Sequence, residues 1–270
     1  NMSTLNEKIN FTVLIDKMKQ IDRRTKIIGV DRRETDAEHS FSIALMAYIF
    51  RDYAKNINLE KTMLMLLVHD LVEIYAGDTF AYDVEGNKTK KDREEQASIK
   101  VFSELGEDGE YLRELWHEFD AIETPEAKFA NAMDRSQPII NNIFNNGGTW
   151  NEFHVKWSQL MKRMSPIKEF SPEIFDYLVE NAKPYFSRNG MLIDDNDEMF
   201  FIGDEKNPIA KLVFKEDADS FSILEVFVEE SHRNRGIAKE LVLEAKSYAD
   251  FHKKKILPVC PYAKKVLDKE

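Results

Sequence analysis

Cys260 is the only cysteine in the 270 residues. No intramolecular disulfide is available, and a reducing, cytoplasmic setting is expected. No apolar run approaches the length of a membrane span, so no membrane insertion is expected. Basic excess is also missing: the net charge is −11. Neither half of the chain offers the positive platform that duplex nucleic acid requires. Internal repeats and low-complexity segments are absent as well. What is present is a chain 43% hydrophobic and 32% charged, the balance of a globular protein long enough for one large domain or two ordinary ones.

The most informative residues are His39, the adjacent His69 and Asp70, and the distant Asp134. The run Met63-Leu64-Met65-Leu66-Leu67-Val68 is apolar on every side, which predicts a buried helix ending in the His-Asp pair. A carboxylate there is costly unless its desolvation is offset. A divalent ion offsets it, and two imidazoles with two carboxylates suit Mn, Fe, Co, Ni or Zn. A hydrogen-bonded core histidine and a capping aspartate would explain one His-Asp dipeptide. The order His, His-Asp, Asp, with each member on its own expected helix, favours the metal.

That order, together with Arg32-Arg33-Glu34-Thr35-Asp36-Ala37-Glu38-His39-Ser40, His69-Asp70-Leu71-Val72-Glu73-Ile74-Tyr75-Ala76-Gly77-Asp78-Thr79 and Asp134-Arg135, resembles the HD-domain metal-dependent phosphohydrolases. The branch it is most similar to includes the bacterial 5′-deoxynucleotidases. The resemblance spans roughly residues 5 to 185. It implies metal ligation by His39, His69, Asp70 and Asp134, proton handling by Glu73 and Asp78, a small phosphorylated substrate and a homodimer. Arg24, fifteen residues before His39, matches a substrate-binding arginine of that branch. Arg24 and Arg33 are therefore candidate phosphate clamps, since a guanidinium makes paired hydrogen bonds to phosphate. Arg23 and Arg32 read as solvated. The branch carries an aromatic residue after its arginine, and Thr25 stands there instead. His117 and His154 lack partners at ligand spacing and read as surface residues.

Up to about Tyr185 the hydrophobic period is helical. Thr35 with Glu38 forms a capping box ahead of His39. Thr124-Pro125-Glu126 and Ser171-Pro172-Glu173 open later helices, and Asn145-Asn146-Gly147-Gly148 stops one. Asp78 to Lys91 reads as a polar loop suited to a lid. After Ser187-Arg188-Asn189-Gly190 the pattern turns to short β-prone runs, Met199 to Ile202, Ile209 to Phe214 and Phe221 to Val228. A helix from Ile237 to His252 and a run from Lys255 to Cys260 follow. The expected architecture is multidomain: an all-α helical bundle over residues 1–186, then a small α+β domain over 187–270.

Arg233-Asn234-Arg235-Gly236-Ile237-Ala238 follows a strand and opens a helix. Backbone N–H groups at such a turn can cradle a pyrophosphate, and Gly236 permits close approach. The pattern resembles the acetyl-CoA loop of GNAT-type N-acetyltransferases. The resemblance implies acetyl-CoA or CoA held by Arg233, Arg235, Gly236, Ile237 and Ala238. Pro258-Val259-Cys260-Pro261-Tyr262 is similar to short GNAT-like proteins in which a matching cysteine lies near the acetyl group, so Cys260 is a candidate acyl acceptor. Free cysteine is more often structural. The leading expectation is phosphomonoester hydrolysis, of nucleoside 5′-monophosphates or similar, with an appended acetyl-CoA module. The alternatives are an acetyltransferase with a vestigial metal site, a sensor of metal and acetyl-CoA, and an alarmone hydrolase. The last is disfavoured because Glu73 is followed by Ile74 and not by Asp.

Overall fold

The computed structural model describes residues 2–270. The chain forms two compact units. One comprises Asn1–Gly148 and Arg163–Leu178; the other comprises Thr149–Lys162 and Val179–Glu270. The division read from the sequence, between 186 and 187, falls inside the second unit.

The first unit is built on helices α1 (Leu5–Ile15), α2 (Asp36–Ile49), α3 (Leu59–Val68), the single turn α4 (Glu73–Ala76), α5 (Val84–Ser103), α6 (Glu107–Ala121) and α7 (Pro125–Phe144). Both Thr4 and Thr35 form complete capping boxes, with Glu7 and Glu38. Each box satisfies two N–H groups that a helix start leaves open. Asn58, Asp83 and Thr124 cap α3, α5 and α7 through their side chains. One apolar cluster joins these helices, with Ile43, Met65, Leu66, Phe102, Phe129 and Met133 almost fully inaccessible. Each such side chain contributes about 1.5–3 kcal/mol by leaving water.

Three expectations are corrected here. Residues 22–35 are not helical: β1 (Asp22–Lys26) and β2 (Arg33–Thr35) pair antiparallel. The expected lid from Asp78 to Lys91 is helical from Val84, because Asp83 caps α5 there. The helix leading to His69 is not buried on every side, since Leu67 is 46% exposed.

The second unit takes in most of α8 (Gly148–Glu152), the start of α9 (Trp157–Phe170) and the end of α10 (Pro172–Ala182). The small pair β3 (Ser187–Arg188) and β4 (Met191–Leu192) follows. A five-stranded sheet is then ordered β5-β6-β7-β8-β9, from β5 (Asp194–Asp195), β6 (Met199–Gly203), β7 (Pro208–Glu216), β8 (Ser220–Val228) and β9 (Lys255–Pro258). Neighbours are antiparallel except β8 and β9, which are parallel. A parallel pair needs a crossover, and α11 (Ile237–Phe251) supplies it; α12 (Pro261–Leu267) ends the chain. Leu212, Phe221, Ile223, Leu241, Val242 and Ala245 form the sheet–helix core. The Asp195 carboxylate accepts from the Ser158 backbone N–H at 3.0 Å, which ties the early segment to this unit. His154 is half-buried, with its ring against Tyr248 and Phe251, and is not the surface residue expected. No helix among the described residues is long and apolar enough to cross a membrane.

A Cβ at Gly109 would stand 1.8 Å from the Phe102 carbonyl oxygen, where α6 meets the end of α5. Gly109→Ala should therefore lower unfolding free energy by roughly 1–3 kcal/mol, read from denaturant melts of the full chain. An unchanged midpoint would show that the helices can separate at no cost.

Candidate metal centre

Helices α2, α3 and α7 pack against one another and bring the four expected ligands together. His39 lies in the first turns of α2, His69 caps the C-terminus of α3, and Asp134 projects from the buried face of α7. His39 Nε2 is 2.8 Å from Asp134 Oδ1, and His69 Nε2 is 3.3 Å from the same oxygen. Asp70 Oδ1 is 3.0 Å from His69 Nε2, and Asp70 Oδ2 is 3.9 Å from His39 Nε2. All four residues are buried.

The hydrogen bonds behind the imidazoles decide which nitrogen faces the centre. Gln137 donates through Nε2 to Glu34 Oε2 at 2.9 Å. Its carbonyl oxygen is thereby turned to His39 Nδ1, 2.8 Å away, which must be the donor. The Leu66 carbonyl can only accept, so His69 Nδ1 carries a proton too. Both neutral rings then present a bare Nε2 to the carboxylates. Lone pairs facing carboxylate oxygens at such distances repel unless a cation or a proton sits between them. With bonds of about 2.1 Å, neighbouring donors on one ion stand roughly 3 Å apart, which matches the spacings above. The outer hydrogen bonds are those that orient metal-binding histidines. The residues therefore fit a divalent ion.

The electrostatics point the same way. Burial opposes charge on His69, but Asp70 and Asp134 outweigh it and push its pKa up to about 10. Burial also opposes ionisation of Asp134, yet His69 and His39 hold it well below the usual carboxylate range. Asp70 is held low against burial by His69 and Arg23. The pocket is thus tuned to contain positive charge.

The strand β1 settles the arginines. Successive strand residues point to opposite faces: Arg23 and Thr25 turn inward, while Asp22 and Arg24 are exposed. Arg23 Nε donates to Glu34 Oε1 at 3.0 Å, and its Nη1 lies 3.4 Å from Asp70, 3.8 Å from Asp36 and 3.9 Å from Asp78. The structure thus brings Arg23 to the ligands and places Arg24 on the outer face. Arg33 Nη1 donates to the Arg24 carbonyl oxygen at 2.5 Å, bracing the hairpin. Arg32 makes a two-pronged pair with Glu38 at the start of α2. Reading the segment with a helical period concealed the alternation.

Glu73 and Asp78 fall where expected, beside Asp70. The Glu73 pKa is raised well above the usual range by burial and by Asp70. Burial likewise raises that of Asp78. Two cations escaped the sequence reading. Arg163 Nη2, on α9, lies 3.7 Å from Asp134 Oδ2. Lys90, on α5, pairs with Glu94 at 3.6 Å; although burial disfavours its charge, Glu94 and Glu73 raise its pKa. Sequence spacing carried no signal for either.

The HD-domain family is matched over residues 15–175. The chain belongs to that family. An HD domain implies a divalent metal, and the four-residue cluster is where this one would hold it. Among relatives, the 5′-deoxynucleotidase HDDC2 of Mus musculus is 30% identical over 134 residues, 49% of this chain and 66% of that protein. The Homo sapiens protein of the same name is also 30% identical, over 49% of this chain and 65% of its own length. The chain thus spans just under two thirds of these relatives. A crystal structure of a predicted metal-dependent phosphohydrolase from Magnetospirillum magnetotacticum MS-1 superposes with a TM-score of 0.64 and 38% identity, covering 68% of this chain and 93% of that one.

The second unit carries a GNAT-like acetyltransferase domain: the GCN5-related N-acetyltransferase family is matched over residues 199–270. Such a domain implies acetyl-CoA. Strand β9 pairs with β8 only over Ser220–Ile223, and among the described residues no strand pairs with Leu224–Val228 on that side. The Arg233–Ala238 turn follows the end of β8, with Gly236 at φ +76 and open space where a Cβ would point. Ile237 is buried in the core, and Arg233 Nε donates to the Val228 carbonyl at 3.0 Å. Arg235 is exposed. Cys260, half-buried, caps α12, and its N–H donates to the Ile223 carbonyl at 3.0 Å, where β8 and β9 part.

Two outcomes are expected for the HD centre. With His69 protonated up to about pH 10, metal must displace that proton. Affinity should then fall about tenfold per pH unit as pH drops below that value, with about one proton released per ion in calorimetry across two buffers. A pH-independent affinity would remove His69 from the ligand set. Gln137→Ala should weaken metal binding by roughly 10–100-fold without unfolding the chain, because it frees the His39 ring to turn.

Proposed function

We propose that the HD domain is a metal-dependent phosphomonoesterase acting on nucleoside 5′-monophosphates. The observation that carries this reading is the joining of a four-ligand metal cluster to cations and proton-holding carboxylates in one buried place. The names of the relatives support the substrate class. When bound, the divalent ion supplies Lewis acidity towards water and phosphate oxygens.

Arg23 binds and orients the phosphate, because its guanidinium already reaches the ligand Asp70 from the inner face of β1. Arg163 and Lys90 add charge from α9 and α5. Glu73 takes a proton from the attacking water; a buried carboxylate of raised pKa is the stronger base once ionised. Attack on phosphorus breaks the bond to the 5′ oxygen. Asp78, whose raised pKa favours holding a proton, donates that proton to the leaving oxygen. Gln137 and the Leu66 carbonyl keep both imidazoles in the ligating tautomer.

The C-terminal unit binds acetyl-CoA along the unpaired edge of β8, with its pyrophosphate at the Arg233–Ala238 turn and Cys260 facing the acetyl end as acceptor. A homodimer is supported by apolar stripes on the first unit: Leu5, Ile9 and Val13 on α1, and Phe41, Leu45 and Ile49 on α2, are all exposed.

The test is phosphate release from a panel of ribo- and deoxyribonucleoside 5′-monophosphates after chelation and reloading with Mn, Co or Mg. Asp70→Ala should abolish turnover. Arg23→Ala should lower kcat/KM by about 10²-fold or more, as expected for loss of a charged phosphate contact of ~3 kcal/mol. Arg24→Ala should stay within a few-fold of wild type. Equal losses for the two arginines would show that strand alternation does not govern the phosphate site.

A further inference from the structure

A cavity of about 390 Å³ lies within the second unit, and neither the Arg233–Ala238 turn nor Cys260 lines it. Cavities of this size hold small ligands. Four aromatic side chains form its walls: Trp150 from α8, Trp157 from the start of α9, and Tyr185 and Phe186 from the short turn Lys183–Phe186 before β3. The Phe186 ring stands 5.2 Å from those of both tryptophans, and the Tyr185 ring 6.2 Å from that of Trp150. Both tryptophans are buried, whereas Tyr185 and Phe186 are half-buried. The Trp150 indole N–H has no acceptor in the chain. An indole can only donate, and a buried donor left open is unfavourable. An acceptor on a molecule held in the cavity would satisfy it.

The charged side chains at the cavity are already paired. Arg188 Nε donates to Glu244 Oε2 at 2.7 Å, and Lys156 Nζ lies 3.7 Å from Asp195 Oδ2. His154 Nε2 stands 4.0 Å from the other oxygen of Glu244. Arg188 and Lys156 are thus balanced by the two carboxylates, and no free cation is left to hold an anion. Aromatic walls favour a flat ring, and stacking on them tolerates any heterocycle. We propose that this cavity is a binding site for a neutral nucleoside. The base stacks among Trp150, Tyr185 and Phe186, and one of its acceptors takes the Trp150 N–H. Sugar hydroxyls are donors that Glu244 and Asp195 accept, whereas a 5′-phosphate would meet the same carboxylates as like charge. A nucleoside is what remains when a phosphomonoesterase has acted on a nucleoside 5′-monophosphate. The choice of a nucleoside among neutral heterocycles therefore rests on the reading of the HD domain given above; the cavity does not.

The full-length chain is stripped of metal with a chelator, so that no turnover occurs, and titrated with adenosine, guanosine, cytidine and thymidine. Calorimetry counts the sites. Tryptophan fluorescence reports their position, because two of the three tryptophans stand at the cavity. At least one nucleoside should bind at one equivalent and change the fluorescence. Trp150→Phe, which keeps a ring but removes the N–H, should weaken that binding roughly tenfold. Tyr185→Ala, which removes a stacking face, should weaken it about tenfold or more. Tyr185 is half-buried, so its variant remains informative if Trp150→Phe does not fold. Arg23→Ala, at the HD centre, should leave nucleoside affinity unchanged. No binding of any nucleoside up to about 1 mM overturns the site, as does binding that both cavity variants leave unchanged or that Arg23→Ala abolishes. Phosphate release by the metal-loaded chain is read separately. Its absence in the wild type would count against the hydrolase reading alone, while nucleoside binding sensitive to Trp150 and Tyr185 would still establish the cavity.

Discussion

One carboxylate oxygen, Asp134 Oδ1, lies within 3.3 Å of both His39 Nε2 and His69 Nε2. Three helices meet at that point, and none of them alone could tolerate what it brings. A bare imidazole nitrogen, a buried aspartate and an unneutralised helix end are each unfavourable in an apolar interior. Together, with a cation among them, each satisfies the others. The packing of α2, α3 and α7 and the chemistry of the centre are therefore one problem with one solution. This explains why the centre sits inside the principal apolar cluster and not on a loop.

Around the centre the chain has built an ordered chain of polar contacts: His39 to Gln137, Gln137 to Glu34, Glu34 to Arg23, and Arg23 to Asp70. It begins and ends on residues of the candidate metal cluster. It draws on β1, β2, α2 and α7, so the short hairpin is as much a part of the centre as the helices. Buried polar networks of this kind are favourable only when every member is satisfied.

Much of this was legible in the sequence, for definable reasons. The cluster could be anticipated because His39, His69, Asp70 and Asp134 stand in an order that few structural roles require. Capping residues at Thr35 and Thr124 placed two of the ligand helices, since a cap acts through atoms three residues away. The strands Met199 to Ile202 and Phe221 to Val228 were visible from their β-branched and aromatic content. Arg23 was not legible as a neighbour of the cluster. Its segment, Asp22-Arg23-Arg24-Thr25-Lys26, is charged and weakly β-prone, so only tertiary pairing with β2 reveals which side chain turns inward. Arg163 and Lys90 were hidden for another reason: they arrive from helices distant in sequence, and no local pattern encodes that meeting. The lid was misread because a polar run such as Glu85 to Arg93 is equally consistent with a solvated helix face.

The compact units are interleaved along the chain. Thr149–Lys162 belongs to the unit with the GNAT-like domain, although Arg163–Leu178, which follows it, returns to the HD unit. The match to the HD-domain family runs through both stretches. As the nascent chain leaves the ribosome, a piece of the second unit emerges before the first unit has its last helices. That piece must wait for the sheet to be synthesised before Asp195 can cap Ser158. The joining of the two domains is thus written into the order in which their parts are synthesised.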